Sequence, residues 1–251
     1  MIRVGVCGAG GRMGSAVCDA VNADVELELT AKIDPTLGSS DNEFSSLENL
    51  PSDRVDVVVD FTIHDAALAN LGWCAANGVH AVVGTSGFTG SEITELSKLF
   101  EQSKANALIA PNFAIGAVLM MRFAEMAAPH FDSAEVIELH HEQKADAPSG
   151  TAMLTAQRMA AASSDWSPDP TLKETVKGAR GANVDGIPVH SARIHGMMAH
   201  QEVILGTHGQ TLTIRHDSYG RESFMPGVLL AVKNVADHPG LTFGLDALLS
   251  L

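Results

Sequence analysis

The N-terminal stretch from Ile2 to Gly14 constrains the fold most, because it joins an apolar strand to a glycine-rich turn and a helix. Ile2 to Cys7 is apolar and β-branched with little alternation, as a strand covered on both faces should be. It runs into GAGGRMG and then into a helical stretch, SAVCDAVNA. Gly8 permits the tight turn, Gly10 or Gly11 permits pyrophosphate to approach the backbone, and Gly14 permits the helix to pack on the strand.

A second predicted strand, Leu27 to Ile33, ends on Asp34, where a carboxylate can accept a hydrogen bond from a ribose 2′-hydroxyl. The glycines are spaced GxxGxxG rather than in the standard fingerprint, so the loop alone is also compatible with an ordinary βα turn. The glycine-rich loop and Asp34 together predict that the chain binds a nicotinamide dinucleotide. Asp34 disfavours a 2′-phosphate, but Arg12 and Lys32 can offset that repulsion, so the sequence predicts use of NADH or NADPH.

The next segments keep alternating between strands and helices, which is typical of a doubly wound parallel sheet. We predict strands at 55–61, 80–83 and 107–110, and helices at 64–77 and 89–104. The carboxyl ends of these strands should meet beside the glycine loop and line the nicotinamide half of the cofactor. The candidate cofactor-binding residues are Gly8, Ala9, Gly10, Gly11, Arg12, Met13, Gly14, Asp34, Phe61, Thr62, Gly84, Thr85, Ser86, Ala110, Pro111, Asn112 and Phe113.

The pattern changes near residue 115, where a second domain is predicted. Residues 35–54 and 163–188 are polar and indicate loops, while 117–128 indicates a helix and 189–194, 201–206 and 210–216 alternate as strands. With the strand at 135–139 these predict an antiparallel or mixed sheet whose open face could serve subunit contact. A helix opened by Pro226 should return to the first domain. We therefore expect an α/β chain with a Rossmann-like dinucleotide-binding domain (1–114 with 224–251) and an α+β substrate-binding and oligomerisation domain (115–223).

The segment EVIELHHEQKADAPSGTA, from Glu135 to Ala152, concentrates groups suited to acid–base chemistry and anion binding. His140 and His141 follow a predicted strand and can exchange protons near neutral pH. Lys144 adds a positive charge, and Ser149, Gly150 and Thr151 open a helix whose unpaired N–H groups attract an anion. Each feature alone is compatible with capping or a solvated loop. Their clustering predicts a site for a small anionic substrate.

The composition excludes several other functions. A net charge of −14 and a pI near 5.1 disfavour nucleic acid as a partner, since a phosphate backbone needs a basic face. Cys7, Cys18 and Cys74 form no metal-binding spacing, and the His residues outside the cluster show none either. No apolar run approaches a membrane span and no signal peptide is evident. We therefore expect a cytoplasmic protein with reduced thiols, no metal and no membrane contact.

With GAGGRMG, Asp34, GTSGF, APNFAIG and ELHHEQKADAPSGTA in place, the chain resembles the dihydrodipicolinate reductase family over essentially its whole length, most specifically in HH…KADAPSGT. The resemblance implies hydride transfer from NADH or NADPH to C4 of a cyclic dicarboxylic imine, giving tetrahydrodipicolinate in the diaminopimelate and lysine pathway. It also implies a homotetramer joined through the substrate domains.

The resemblance assigns roles residue by residue. It implies that His140 is the proton donor and that Lys144 acts with it in the catalytic site. The substrate-binding positions that it implies are His141, Lys144, Ser149, Gly150 and Thr151, and the cofactor positions fall on the glycine loop and strand ends above. Relatives often have a His directly before the Lys, whereas this chain has Glu142 and Gln143 there. Two other functions fit the residues: another small-acid NAD(P) oxidoreductase, and a non-catalytic nicotinamide sensor.

Overall fold

The computed structural model describes residues 1–38 and 40–249. The chain divides into two compact units, one formed by Met1–Ile115 with the chain from Phe224 onward, the other by Gly116–Ser223. Dinucleotide binding by the first domain, and substrate binding and oligomerisation by the second, stay predictions. No helix in the described ranges combines the length and apolar character needed to cross a bilayer.

The first unit begins with strands and helices in alternation. Its elements are β1 (Ile2–Cys7), α1 (Arg12–Ala23), β2 (Leu27–Ile33), β3 (Glu43–Phe44), β4 (Val57–Asp60), α2 (His64–Asn77), β5 (His80–Val83), α3 (Gly90–Glu101) and β6 (Ala107–Ile109). The predicted bounds of β1, β2, α2 and β5 are confirmed. Helix α3 begins with a capping box formed by Thr89 and Glu92.

The second unit is built on a mixed sheet with one long helix against it. Its elements are α4 (Ile115–Ala127), β7 (Ser133–His140), α5 (Gly150–Ala162), β8 (Ala182–Val184), β9 (Ile187–Arg193), β10 (Ala199–Thr207) and β11 (Gln210–Ser218). The strand order is β11-β10-β7-β9-β8, with β7 and β9 parallel and the other neighbours antiparallel. Helix α5 packs against β7 and β9. The predicted mixed sheet is thus confirmed.

The chain then returns to the first unit through α6 (Met225–Asn234) and β12 (Leu241–Phe243). The first sheet has the order β12-β6-β5-β4-β1-β2-β3 and every pair in it is parallel. From β1 the chain moves outward through β2 in one direction and from β4 through β5 in the other. The carboxyl ends of β1 and β4 therefore flank the point where the direction of winding reverses, which is where doubly wound sheets bind ligands.

The structure corrects the prediction in several short or terminal elements. Residues 35–54 and 163–188, predicted as loops, contain β3 and β8, and β12 was not predicted at all. These strands are two or three residues long, too short to show a periodic pattern. Strand β7 extends one residue further than predicted, so His140 is its last residue rather than part of the loop. Helix α6 begins at Met225, one residue before the predicted first residue Pro226, and ends at Asn234 before a 3-10 turn.

Candidate active site

In the first unit, the glycine loop leaves no room for side chains at two positions. Gly8 has a positive φ of 77°, and a Cβ there would lie 2.5 Å from the carbonyl oxygen of Phe61. A Cβ at Gly14 would lie 2.0 Å from the carbonyl oxygen of Gly8. Ala9 is buried, whereas Gly10 and Gly11 before α1 and Arg12, its first residue, are exposed. The loop therefore presents bare backbone at the carboxyl end of β1.

Asp34, directly after β2, reaches across to this loop. Its Oδ2 accepts a hydrogen bond from the Gly10 N–H (3.1 Å), and its Oδ1 accepts from the Thr36 hydroxyl (2.6 Å) and N–H (2.9 Å). Partial burial raises the pKa of Asp34, but these hydrogen bonds outweigh it and hold the pKa below its usual value. A charged acceptor therefore stands beside the glycine turn.

A cavity of about 370 Å³ opens at the ends of β4 and β5. It is lined by Met13, Phe61, Thr62, Ile63, His64, Gly84, Thr85 and Ser86. Six of these residues were predicted from sequence, and only Ile63 and His64 were missed, since they lead into α2. A Cβ at Gly84 would lie 2.1 Å from the Phe61 ring, so the glycine lets the ring form the cavity wall.

The predicted residues after β6 are placed differently. Ala110 extends the sheet through its N–H to the Val83 carbonyl (3.0 Å). Phe113 is buried, with its ring centroid 5.8 Å from that of Phe61, and Asn112 Oδ1 accepts from the Ala114 N–H (2.9 Å). Pro111 is exposed. None of the residues 110–113 is among those that line the cavity described above.

Asp60, the last residue of β4, supports the cavity wall and was not predicted from sequence. Its carboxylate is buried and accepts from the hydroxyls of Thr62 (2.7 Å) and Thr85 (2.9 Å) and from the Asn70 amide (2.6 Å). Its neighbours in the strand are valines, so its only sequence signal is an acid in an apolar run.

In the second unit, His140 at the end of β7 is bonded to a buried carboxylate. Glu138 is two residues earlier on the same face of the strand, and its Oε2 lies 2.5 Å from His140 Nδ1. Burial lowers the pKa of His140 and Glu138 raises it, while Lys144 and Arg193 lower it, and the net pKa is below the ordinary value. The predicted proton donor, His140, is thus a half-buried imidazole whose Nδ1 is hydrogen-bonded to a buried carboxylate.

Arg193, the last residue of β9, closes the other side of Glu138. Its Nη1 and Nη2 donate to the two carboxylate oxygens at 2.9 and 3.0 Å. The same guanidinium also donates to the backbone carbonyls of Asp146 (2.6 Å), Lys144 (3.4 Å) and Ala192 (2.8 Å). Glu138 and Arg193 were missed from sequence because they lie 55 positions apart, and only the sheet brings them together.

The predicted helix start is confirmed in geometry. Ser149 caps α5, its hydroxyl accepting from the Ala152 N–H (3.2 Å), and its own N–H donates to Glu138 Oε1 (3.2 Å). A Cβ at Gly150 would meet no atom within 4 Å, so the glycine faces open space. Thr151 follows in the first turn. His140 and the helix start are therefore joined through a single carboxylate.

Lys144 lies in the loop between β7 and α5 and is already paired. Its Nζ donates to Asp146 Oδ1 at 2.7 Å, with Lys144 mostly covered and Asp146 largely exposed. His141 N–H donates to the Met198 carbonyl at 3.4 Å. The structure thus places all five predicted substrate-binding residues within one loop and helix start. Among the described residues, no cluster of three or more His, Cys, Asp or Glu side chains is arranged to hold a metal ion.

Comparison with known proteins gives consistent matches along the chain. Residues 2–113 match the family model for the dihydrodipicolinate reductase N-terminus, and residues 116–249 match that for its C-terminus. The chain is 51% identical over 252 residues to a 4-hydroxy-tetrahydrodipicolinate reductase from Mycobacterium ulcerans, covering 100% of both chains. It is 53% identical over 255 residues to one from Nocardia farcinica, covering 100% of this chain and 99% of that one. A dipicolinate-bound dihydrodipicolinate reductase from Paenisporosarcina sp. TG-14 superposes with a TM-score of 0.91 at 42% identity, covering 98% and 99%.

Proposed function

The chain belongs to the dihydrodipicolinate reductase family, and from this membership we propose that it reduces dihydrodipicolinate, formed from 4-hydroxy-tetrahydrodipicolinate, to tetrahydrodipicolinate with NADH or NADPH. This is a step of diaminopimelate and lysine biosynthesis. The observation that carries the proposal is the joint placement of His140, Lys144 and the capped start of α5. This placement combines a group that can donate a proton with groups suited to bind a dicarboxylate.

The first unit is suited to hold the cofactor. The turn that admits no Cβ at Gly8 or Gly14 leaves backbone open to a pyrophosphate, and Asp34 stands beside it as an acceptor for a ribose hydroxyl. A bound nicotinamide cofactor supplies the hydride. The cavity between Met13, Thr62 and Thr85 is suited to its nicotinamide half. Residues 110–113, which follow β6, are proposed to contact that half as well.

His140 supplies the proton in this proposal. Addition of a hydride to a conjugated imine leaves an electron-rich nitrogen or carbon that must gain H⁺, so the hydride and one proton together complete the reduction. His140 is half-buried at the strand end, where a side chain can both exclude water and reach a ligand. His141, directly after the strand, is proposed as a substrate contact.

Lys144 and the helix start are proposed to bind the substrate carboxylates. Ser149 and Thr151 offer hydroxyls and backbone N–H groups at the positive end of α5, and Gly150 leaves the approach open. Lys144 adds the positive charge that a chain of net charge −14 needs locally to hold an anion. A carboxylate bound there must share or displace Asp146.

The test is a spectrophotometric assay. With freshly generated substrate, the absorbance of NADPH or NADH should fall in proportion to enzyme, and it should not fall with 2-oxo acids or aldehydes. Turnover of those compounds would favour another small-acid oxidoreductase. Cofactor binding without turnover of any substrate would favour a sensor.

We also propose a cytoplasmic homotetramer joined through the second unit. The face of its sheet turned away from α5 carries Ile137, Leu139 and Ile204, none of them buried within the single chain. The same face also carries Glu135, Glu202 and Arg215. Its partly exposed apolar side chains among charged ones favour pairing with another copy. Light scattering should give four times the 26.3 kDa chain mass, and a monomer mass would contradict the proposal.

A further inference from the structure

We infer that Glu138 is a positioning residue that fixes the proton of His140 on Nδ1, so that the proton used in the reaction leaves from Nε2, and that Arg193 holds Glu138 for this task. The inference rests on the proposed function, in which His140 is the proton donor. It starts from the 2.5 Å contact between Glu138 Oε2 and His140 Nδ1.

The Glu138 carboxylate has a donor at every side. Oε1 accepts from the Ser149 N–H and Arg193 Nη2, Oε2 accepts from Arg193 Nη1, and His140 Nδ1 lies 2.5 Å from Oε2. Its side chain is 0% exposed. Burial raises its pKa, but hydrogen bonds from Arg193, Ser191 and His140 outweigh this and hold the pKa below its usual value. Glu138 is therefore ionised and can only accept hydrogen bonds.

The tautomer of His140 follows from that charge. Because Glu138 can only accept, Nδ1 of His140 must carry hydrogen in both the neutral and the protonated ring. Nε2 then has a lone pair in the neutral ring and carries the labile proton in the imidazolium. Proton transfer to the substrate leaves His140 neutral with Nδ1–H still bonded to Glu138, so the ring need not turn during the reaction.

Arg193 has no donor left for a ligand. A guanidinium has five N–H donors, and those of Arg193 go to the two Glu138 oxygens and to the carbonyls of Lys144, Asp146 and Ala192. This cation therefore compensates Glu138 and fastens the loop that carries Lys144, rather than binding substrate. The proton donor, the loop and the helix start are held by one ion pair.

Glu138 also controls how often His140 is protonated. Burial lowers the His140 pKa, the charges of Lys144 and Arg193 lower it further, and Glu138 raises it through its hydrogen bond and charge. Activity that needs the imidazolium is lost as the pH rises through this pKa. Removal of the Glu138 charge lowers the pKa, so the loss should move to lower pH.

The test combines ring-nitrogen NMR with kinetics on the full chain. In histidine-labelled wild type, with the His140 signals assigned by their absence from His140→Asn, neutral His140 should be the Nδ1–H tautomer. In Glu138→Gln the amide can donate to Nδ1, and the Nε2–H tautomer should appear. The alkaline fall in kcat/KM should move down by about one pH unit, with about a tenfold loss at neutral pH. Glu138→Asp, which keeps the charge, should retain the tautomer.

Glu135→Gln is the matched control. Glu135 is on the same strand but on the opposite face, and it bonds His190 Nε2 and Arg180 Nη2, each at 2.5 Å. This variant removes an equivalent carboxylate and should change neither the His140 tautomer nor the pH of the kinetic fall.

Two results would overturn the inference. One is a neutral His140 that is Nε2–H in wild type, a measurement that does not need any Glu138 variant to fold. The other is a Glu138→Gln enzyme with an unchanged tautomer and a uniform loss of rate at all pH values, which would make Glu138 merely structural. Absence of reductase activity in wild type would instead reject the proposed function, and the NMR result would still stand.

Discussion

Replacement of Lys144 by Ala should weaken binding of pyridine-2,6-dicarboxylate to the enzyme–cofactor complex by about two- to hundredfold. This dicarboxylate resembles the proposed substrate in shape and charge. Lys144 is the cation in the loop before α5, and its side chain is mostly covered, so it can hold a ligand carboxylate in one geometry. The predicted loss of affinity is the free energy of the Lys144–ligand interaction minus that of the Lys144–Asp146 interaction with which the ligand competes.

The magnitude depends on the existing pair with Asp146. A charge-assisted hydrogen bond contributes about 1.5–3 kcal/mol. The ligand must first compete with Asp146, whose carboxylate lies 2.7 Å from Lys144 Nζ but is 62% exposed. A pair that open to solvent is worth about 0.2–1 kcal/mol. The difference leaves about 0.5–2.8 kcal/mol, and about 1.4 kcal/mol corresponds to a factor of ten in affinity.

Calorimetric titration of the dicarboxylate into enzyme saturated with cofactor measures this loss directly. Asp146→Asn should bind slightly more tightly than wild type, because the competitor is removed, and Lys144→Arg should recover only part of the affinity because a planar fork replaces a compact ammonium. Lys233→Ala is the matched control, since it removes one cation paired with Asp24 and Glu26 in the other unit. The reasoning fails if Lys144→Ala binds as tightly as wild type, or if Lys233→Ala loses as much.

Three further predictions test other parts of the site. Asp34→Ala should raise the KM for NADH and leave that for NADPH less affected or improved, because a carboxylate repels a 2′-phosphate; equal losses in steady-state assays would reject the role. His140→Ala should lower kcat by about a hundredfold or more with cofactor affinity unchanged by fluorescence titration, and a near-normal kcat would remove its assignment. Gly150→Ala should keep or raise thermal stability, since its Cβ meets nothing, yet weaken dicarboxylate binding. Gly90→Ala, at the equally open start of α3, is its control, and undiminished binding in Gly150→Ala would show that no ligand approaches there.

Sequence reasoning succeeded where a local pattern decides the structure. β1 and β5 are apolar runs with glycines at their ends, and α2 ends at Gly78 in the left-handed conformation, so their bounds follow from short-range chemistry. β3, β8 and β12 are two or three residues long and exist because a neighbouring strand offers them hydrogen bonds. These hydrogen bonds exist only in the assembled sheet, so the residues of the three short strands carry no local pattern that predicts them.

The site residues also fall into two groups, those recognisable from a local pattern and those that depend on partners distant in sequence. His140, Lys144 and Ser149 could be proposed from the sequence because groups suited to proton transfer and anion binding cluster in one loop and helix start. Glu138 and Asp60 were missed because their partners come from elsewhere: Arg193 from β9 in one case, and Asn70 and Thr85 in the other.

Asp60 and Glu138, which were not predicted, nevertheless share one feature that is visible in the sequence. Asp60 closes the run VVVD and Glu138 interrupts VIEL, so each places a carboxylate directly beside apolar residues of its strand. A buried carboxylate without partners costs several kcal/mol, so a strand that keeps one must be supplied with donors by the fold. In this chain Asp60 is supplied by the hydroxyls that line the cavity and by the Asn70 amide. Glu138 is supplied by the Arg193 guanidinium, the His140 imidazole and the helix start. An acid that is out of place in a buried strand therefore indicates where the fold holds functional groups in position, even when the sequence does not say which groups they are.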